Sequence, residues 1–140
     1  MKIIICLDDK NGMLYNKRRQ SKDQTIIQDM IETFPFLIMN SYSYKLFKDY
    51  DYSITIQIND DLPKIDNDKD FQFIEQNSLS LYENRISEIV VYYWNRKYPA
   101  DLRCSIDFTS DRWQCIEEKE WVGSSHEKIT RKRYIQKVDE

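Results

Sequence analysis

The hydrophobic pattern changes period twice within the first forty residues. Residues 2–7, Lys-Ile-Ile-Ile-Cys-Leu, are a β-branched run without polar alternation, which predicts a strand buried on both faces in the middle of a sheet. Residues 8–20 are polar, carry the Asn11-Gly12 turn signal and include Lys17-Arg18-Arg19, which predicts one long loop. From Ser21 the period becomes helical. The run from Ser21 to Gln24 has the spacing of a capping box, Ile26, Ile27, Met30, Ile31 and Phe34 recur on one face, and Pro35 stops the helix. Residues 36–39 are again continuously apolar, so the strand–helix–strand order predicts a parallel βαβ unit.

Further along, the pattern predicts a short helix over 43–48 and a strand over 53–58, where Ile54, Ile56 and Ile58 alternate with polar residues. A polar, acidic connection over 59–70 leads to strands over 71–75 and 86–94. Two last strands, 112–122 and 128–138, are joined around Gly123 and read as an antiparallel hairpin. The whole is an α/β fold, one domain over 1–140, with a mixed sheet, central parallel strands, flanking helices and that hairpin.

Composition narrows the chemistry. Lys and Arg total 21 against 24 Asp and Glu, a net charge of −3, which excludes a protein that coats nucleic acid nonspecifically and leaves a local basic loop as the only route to one. Two glycines, Gly12 and Gly123, cannot spell a phosphate-cradling glycine motif. The single histidine, His126, excludes multi-histidine metal sites, so no metal is expected; beside Ser124 and Ser125 it reads as a hydrogen-bonded loop residue. Cys6, Cys104 and Cys115 read as reduced core thiols of a cytoplasmic protein. No apolar run is long enough for a membrane span, so no membrane partner is expected.

Residues 7–16, Leu-Asp-Asp-Lys-Asn-Gly-Met-Leu-Tyr-Asn, followed by Gln20-Ser-Lys-Asp23, resemble the first strand, mobile loop and first helix of dihydrofolate reductase. Ile106-Asp-Phe, Trp113 and Ser124-Ser-His126 resemble that family's closing segment. A second resemblance, carried by Asn-Gly-Met, Arg-Arg-Gln-Ser and Trp-Asn-Arg-Lys-Tyr-Pro-Ala-Asp, is to a small bacterial family, some of whose members are labelled ribonuclease Z; one histidine gives that label no chemistry. The reductase resemblance implies that Asp23 is the acid that binds a pterin, with Asn16 and Tyr15 on the neighbouring loop and Tyr93 filling space in the pocket. The competing reading makes Asp23 a first-turn charge meeting the helix dipole. It also implies phosphate contacts that are not found here: residues 39–43 read Met-Asn-Ser-Tyr-Ser, and residues 75–86 contain no glycine. The cofactor elements are truncated and no cofactor is expected.

The remaining candidates are basic and aromatic. Lys17, Arg18 and Arg19, with Trp94 and Arg96, suit an acidic or phosphate-bearing partner, or else balance Asp8, Asp9 and Asp23 on a solvated loop. On the first reading, replacing Arg18 and Arg19 leaves folding almost unchanged. Two functions follow: a noncatalytic binding protein, such as an anti-defence inhibitor or sponge of a phage or mobile element, that captures a macromolecule or nucleotide; or a divergent pterin- or nucleotide-dependent reductase whose cofactor site an oligomer completes.

Overall fold

The computed structural model describes residues 1–63 and 67–137. Residues 64–66 of the expected connection and Val138 of the expected last strand lie outside them. The central strand is β1 (Lys2–Leu7). On one side it pairs in parallel with β6 (Phe71–Phe73), on the other with β7 (Glu88–Tyr93). Beyond β6 lie β4 (Phe36–Met39) and the edge strand β5 (Thr55–Ile58), both parallel. Beyond β7 the sheet turns antiparallel through β10 (Ile129–Gln136) and ends at β9 (Trp113–Trp121). The order is β5-β4-β6-β1-β7-β10-β9, so β1 and β4 are parallel with β6 between them.

The unbroken apolar run of β1 follows from this central place. Ile3, Ile5 and Leu7 face one core and Ile4 the other, all at 0% exposure. On the Ile4 face, helix α1 (Gln24–Thr33) buries Ile26, Ile27 and Met30 against Leu37, Phe73, Val90 and Tyr92. Burying one such aliphatic side chain stabilises the fold by about 1.5–3 kcal/mol. The one-turn helix α2 (Ser41–Tyr44) joins this face. The opposite face has no α-helix among the described residues: Leu79, Ile86, Cys104, Ile106 and Trp113 cover it from irregular segments, the end of a short 3-10 turn (Glu83–Arg85) and the start of β9. The expected flanking helices are therefore on one side only.

Residues 8–20 are not one loop. β2 (Gly12–Tyr15), β3 (Arg18–Arg19) and β8 (Leu102–Arg103) form a second, three-stranded sheet. The β2–β3 turn is Asn16-Lys17, both with positive φ (52° and 62°), the signature of a tight hairpin turn made here without glycine. The expected helix over 43–48 contracts to α2, whose start is capped by Asn40 accepting from the Ser43 N–H at 2.8 Å. Cys115 departs from the core reading, being exposed on β9, while Cys104 is buried and Cys6 half-buried.

Arg131, on β10 and 2% exposed, fixes α1 to the antiparallel half of the sheet. Its Nη1 donates to Asp29 at 2.6 Å and to Thr33 at 3.1 Å, its Nη2 to Glu117 at 2.7 Å, and the Tyr92 hydroxyl donates to the same Asp29 oxygen. Removing one member of a buried ion group strands the others without a partner. Arg131→Ala is expected to lower unfolding stability by about 3–5 kcal/mol in urea titration, against no more than about 0.5 kcal/mol for the exposed Lys119→Ala.

Candidate functional site

Four loops meet at the C-terminal end of β1 and β7, and two buried carboxylates hold them. Asp8 is 1% exposed and accepts from the N–H groups of Gly12 (2.7 Å), Lys10 (2.8 Å) and Tyr98 (3.2 Å) and from Gln20 Nε2 (3.1 Å). Burial alone would raise its pKa, but these four donors together hold it below the ordinary aspartate value. Gly12 is required here by close approach, since a Cβ would stand 2.7 Å from the Asp8 carboxylate and 2.5 Å from Gln20.

Asp23, 3% exposed, is the N-cap of α1, so the helix starts two residues later than a Ser21 cap would place it. Its Oδ1 accepts from the Thr25 N–H (2.9 Å), the Thr25 hydroxyl (2.5 Å) and the Ser124 N–H (3.0 Å). Its Oδ2 accepts from the Ser125 N–H (3.0 Å) and from His126 Nδ1 (2.9 Å). Burial would push this carboxyl up, yet the Thr25 hydroxyl, the two serine amides and His126 hold it far below the usual range. Gly123 passes so close that a Cβ would lie 2.5 Å from Oδ2.

His126 is, as expected, a hydrogen-bonded loop residue, and it is also buried. With Asp23 ionised, Nδ1–H donates to it, a tautomer assigned from the network, and Nε2 faces the Tyr98 hydroxyl at 2.8 Å and Ser21 Oγ at 3.1 Å. The Trp94 ring stacks on the imidazole at 4.9 Å and 25°, and Tyr98 meets it edge-on at 6.2 Å. Asp23 and Trp94 thus come together, joined by Tyr98 and His126, whose role sequence reasoning missed.

The basic triplet divides. Arg19 turns inward, with Nε and Nη2 forming a fork onto the Glu75 carboxylate at 2.9 and 3.1 Å, and its guanidinium lies 4.2 Å from the Tyr42 ring centre. The Ser43 hydroxyl donates to the same Glu75 at 2.7 Å. Arg19 is therefore engaged within the protein, and replacing it would leave Glu75 without its cation. Lys17 and Arg18 stay exposed at the β2–β3 hairpin with Tyr15 and Asn16, whose N–H donates to Asp101 at 2.9 Å. Tyr93 also departs from its expected place: it points to the sheet face opposite α1, with its hydroxyl 3.1 Å from that of Tyr134. Tyr92 is the residue that faces α1.

Between α1 and β1 the space is nearly closed. Cys6, Asp23, Ile26, Ile27, Leu46, Phe73, Glu75 and Trp94 surround only about 10 Å³, roughly the room of one water molecule. A roomier cleft of about 390 Å³ lies on the other face of the sheet, lined by Tyr93, Phe108, Tyr134, Lys128 and Lys132 among others. On the surface, the neighbouring Lys97 lowers the Lys10 pKa, and the positive charge of Arg103 lowers it further. Arg103 Nη1 donates to the Lys10 carbonyl at 3.3 Å, and Arg96 lies over the Tyr98 ring at 5.6 Å. Lys10, Lys97 and Arg103 thus form a basic group that only the fold assembles. Among the described residues no group of three or more His, Cys, Asp or Glu side chains is placed to hold a metal ion, and no helix is long and apolar enough to cross a membrane.

The fold is that of dihydrofolate reductase. The structure resembles the Enterococcus faecalis dihydrofolate reductase solved with NADP(H) and RAB-propyl, with a TM-score of 0.63 and 10% identity over 98% of this chain and 96% of that one. No protein-family profile and no curated protein matches the sequence, so the resemblance to bacterial proteins labelled ribonuclease Z has no support.

Two variants separate the arginines. Arg18→Ala is expected to leave the melting curve unchanged, whereas Arg19→Ala leaves Glu75 buried without its cation and should cost about 3 kcal/mol. The acid response has a defined sign. A carboxyl depressed in the folded state stabilises it above the unfolded value of about 3.9, and that contribution is lost as pH falls through the folded value. Asp23→Asn should therefore unfold more easily than the parent protein at pH 7, with the two denaturation curves converging below about pH 4.

Proposed function

We propose that this chain is a noncatalytic binding protein on a dihydrofolate reductase-like scaffold, an inhibitor or sponge of the kind a phage or mobile element carries, which captures an acidic macromolecule. The closed cleft carries this reading. Where the resemblance implies a pterin, the chain's own Ile27, Phe73 and Trp94 fill the space and leave about 10 Å³. Where it implies phosphate contacts, Glu75 already occupies Arg19 and Ser43, and Asn40 caps the one-turn helix that follows β4. Binding then falls to the surface. Lys10, Lys97 and Arg103 gather positive charge on an otherwise acidic protein, with Arg96 exposed beside Lys97 in sequence and Lys17 and Arg18 exposed on the hairpin that pairs with β8. Like charges held near one another favour an anion that neutralises them, and such binding weakens steeply with salt.

The test has two arms. Calorimetry with NADPH and with folate is expected to give no heat at micromolar protein, and micromolar affinity for either would restore the reductase reading. In the second arm, fluorescence anisotropy with labelled poly-glutamate and with a single-stranded oligonucleotide should show salt-sensitive binding of at least one. Lys10→Glu combined with Lys97→Glu should weaken it at least about tenfold without moving the melting temperature. Failure of both polyanions to bind would overturn the proposal.

A further inference from the structure

The geometry points to Ser21 as a nucleophile, with His126 as its base and Asp23 as the group that orients the base: a Ser-His-Asp relay that accepts an acyl or phosphonyl group from an activated ester. The three side chains stand in the order such chemistry requires. Ser21 Oγ is 3.1 Å from His126 Nε2, and His126 Nδ1 is 2.9 Å from Asp23 Oδ2. The Asp23 and His126 side chains are 0% and 2% exposed, while Ser21 is half-buried at the rim. The base is dry and the nucleophile is at the edge.

Each partner is held in its role by something other than the other two. Five further donors and the helix start fix Asp23 as an anion, counting both serine amides, both serine hydroxyls and the Thr25 hydroxyl. An ionised Asp23 puts the imidazole proton on Nδ1 and leaves the Nε2 lone pair toward Ser21. The stacked Trp94 ring fixes the imidazole plane. Gln20, tied to Asp8 and to the Pro99 carbonyl, sets the backbone just before Ser21. Tyr98 adds a second route, since its hydroxyl lies 2.8 Å from Nε2 and 3.2 Å from Ser21 Oγ. The serine proton can pass to Nε2 directly or through that hydroxyl.

In the reaction, Ser21 Oγ attacks the ester carbonyl and its proton moves to His126 Nε2. The new Oγ–C bond forms as the bond to the leaving alcohol breaks, and the alcohol takes the proton from Nε2. With p-nitrophenyl acetate the products are acetyl-Ser21 and p-nitrophenol. With an alkyl fluorophosphonate the Oγ–P bond replaces P–F, and fluoride and the proton leave. The step is stoichiometric, which is compatible with a protein that does not turn over, and it does not depend on the basic patch.

The experiment uses the full folded chain with an alkyl fluorophosphonate, read by intact mass and peptide mapping, and with p-nitrophenyl acetate, read as released p-nitrophenol. One adduct per chain is expected, at Ser21, forming about 100-fold or more faster than at any other serine, as general-base assistance supplies. Ser21→Ala should remove the adduct. Tyr98→Phe should keep it, because Ser21 and His126 still face each other. Urea should abolish it in the parent protein, a control that stands even where a variant fails to fold. No adduct, an adduct on another residue, or labelling that survives Ser21→Ala or unfolding would overturn the assignment. None of these outcomes bears on polyanion binding, so this idea and the capture reading fail separately.

Discussion

The Asp23 carboxylate is the contact on which the rest of the site depends. It begins α1, and it also receives the chain at residues 124–126, a hundred positions later, as the β9–β10 hairpin turns back. A carboxylate at a helix start is ordinarily stabilised by two or three backbone donors. Here the same charge serves as cap and as anchor for a hairpin turn, so the position of α1 over the sheet and the closure of the hairpin are one constraint. Gly123 fits that constraint, because any larger residue would intrude on the oxygen that His126 needs. Asp8 does the same for the small sheet: it draws residues 10, 12, 20 and 98 onto one acceptor and so brings Ser21 and Tyr98 to the imidazole.

The nearly closed space between α1 and β1 goes with a particular arrangement of charges. An open pocket leaves arginines free for an anionic ligand. In this protein Arg19 spends its fork on Glu75, and Arg131 is divided between Asp29 and Glu117. Buried ion pairs of this kind return little net stability, since desolvation offsets their attraction, but they strongly disfavour states in which one partner is alone. They therefore specify the arrangement of α1, α2 and β10 more than they strengthen it. Lys10, Lys17, Arg18, Arg96 and Lys97, by contrast, are exposed.

What the sequence made legible were the features written in short-range period. β1, α1, β4 and the β9–β10 hairpin follow from runs, helical spacing and a glycine turn, and each stands within a few residues of its expected limits. The small sheet was not legible, because β2 and β3 are four and two residues long and their turn, Asn16-Lys17, lacks the glycine that ordinarily marks it. Tyr93 was assigned to the wrong face for a related reason: residues 89–92 are buried on both sides, so alternation gives no sign of which tyrosine faces α1, and a shift of one residue reverses it. His126 was underrated because its neighbours in sequence are serines in a turn, whereas Asp23, Ser21, Trp94 and Tyr98 reach it only through the fold. Lys10, Lys97 and Arg103 share that property, since no window of sequence contains them.

A histidine buried between a carboxylate and two hydroxyls invites a purely structural explanation, and the geometry limits how far that goes. To satisfy Nε2, one donor is enough, and Tyr98 at 2.8 Å already supplies it. Ser21 adds a second hydroxyl to the same lone pair at 3.1 Å. The two hydroxyls also contact each other, so only one of them can donate to Nε2 at a time while the other donates or accepts within the trio. That arrangement leaves the serine proton a short path to the base in either pattern. A network built only to fill space gains nothing from a mobile proton at its rim, whereas a nucleophile requires one there.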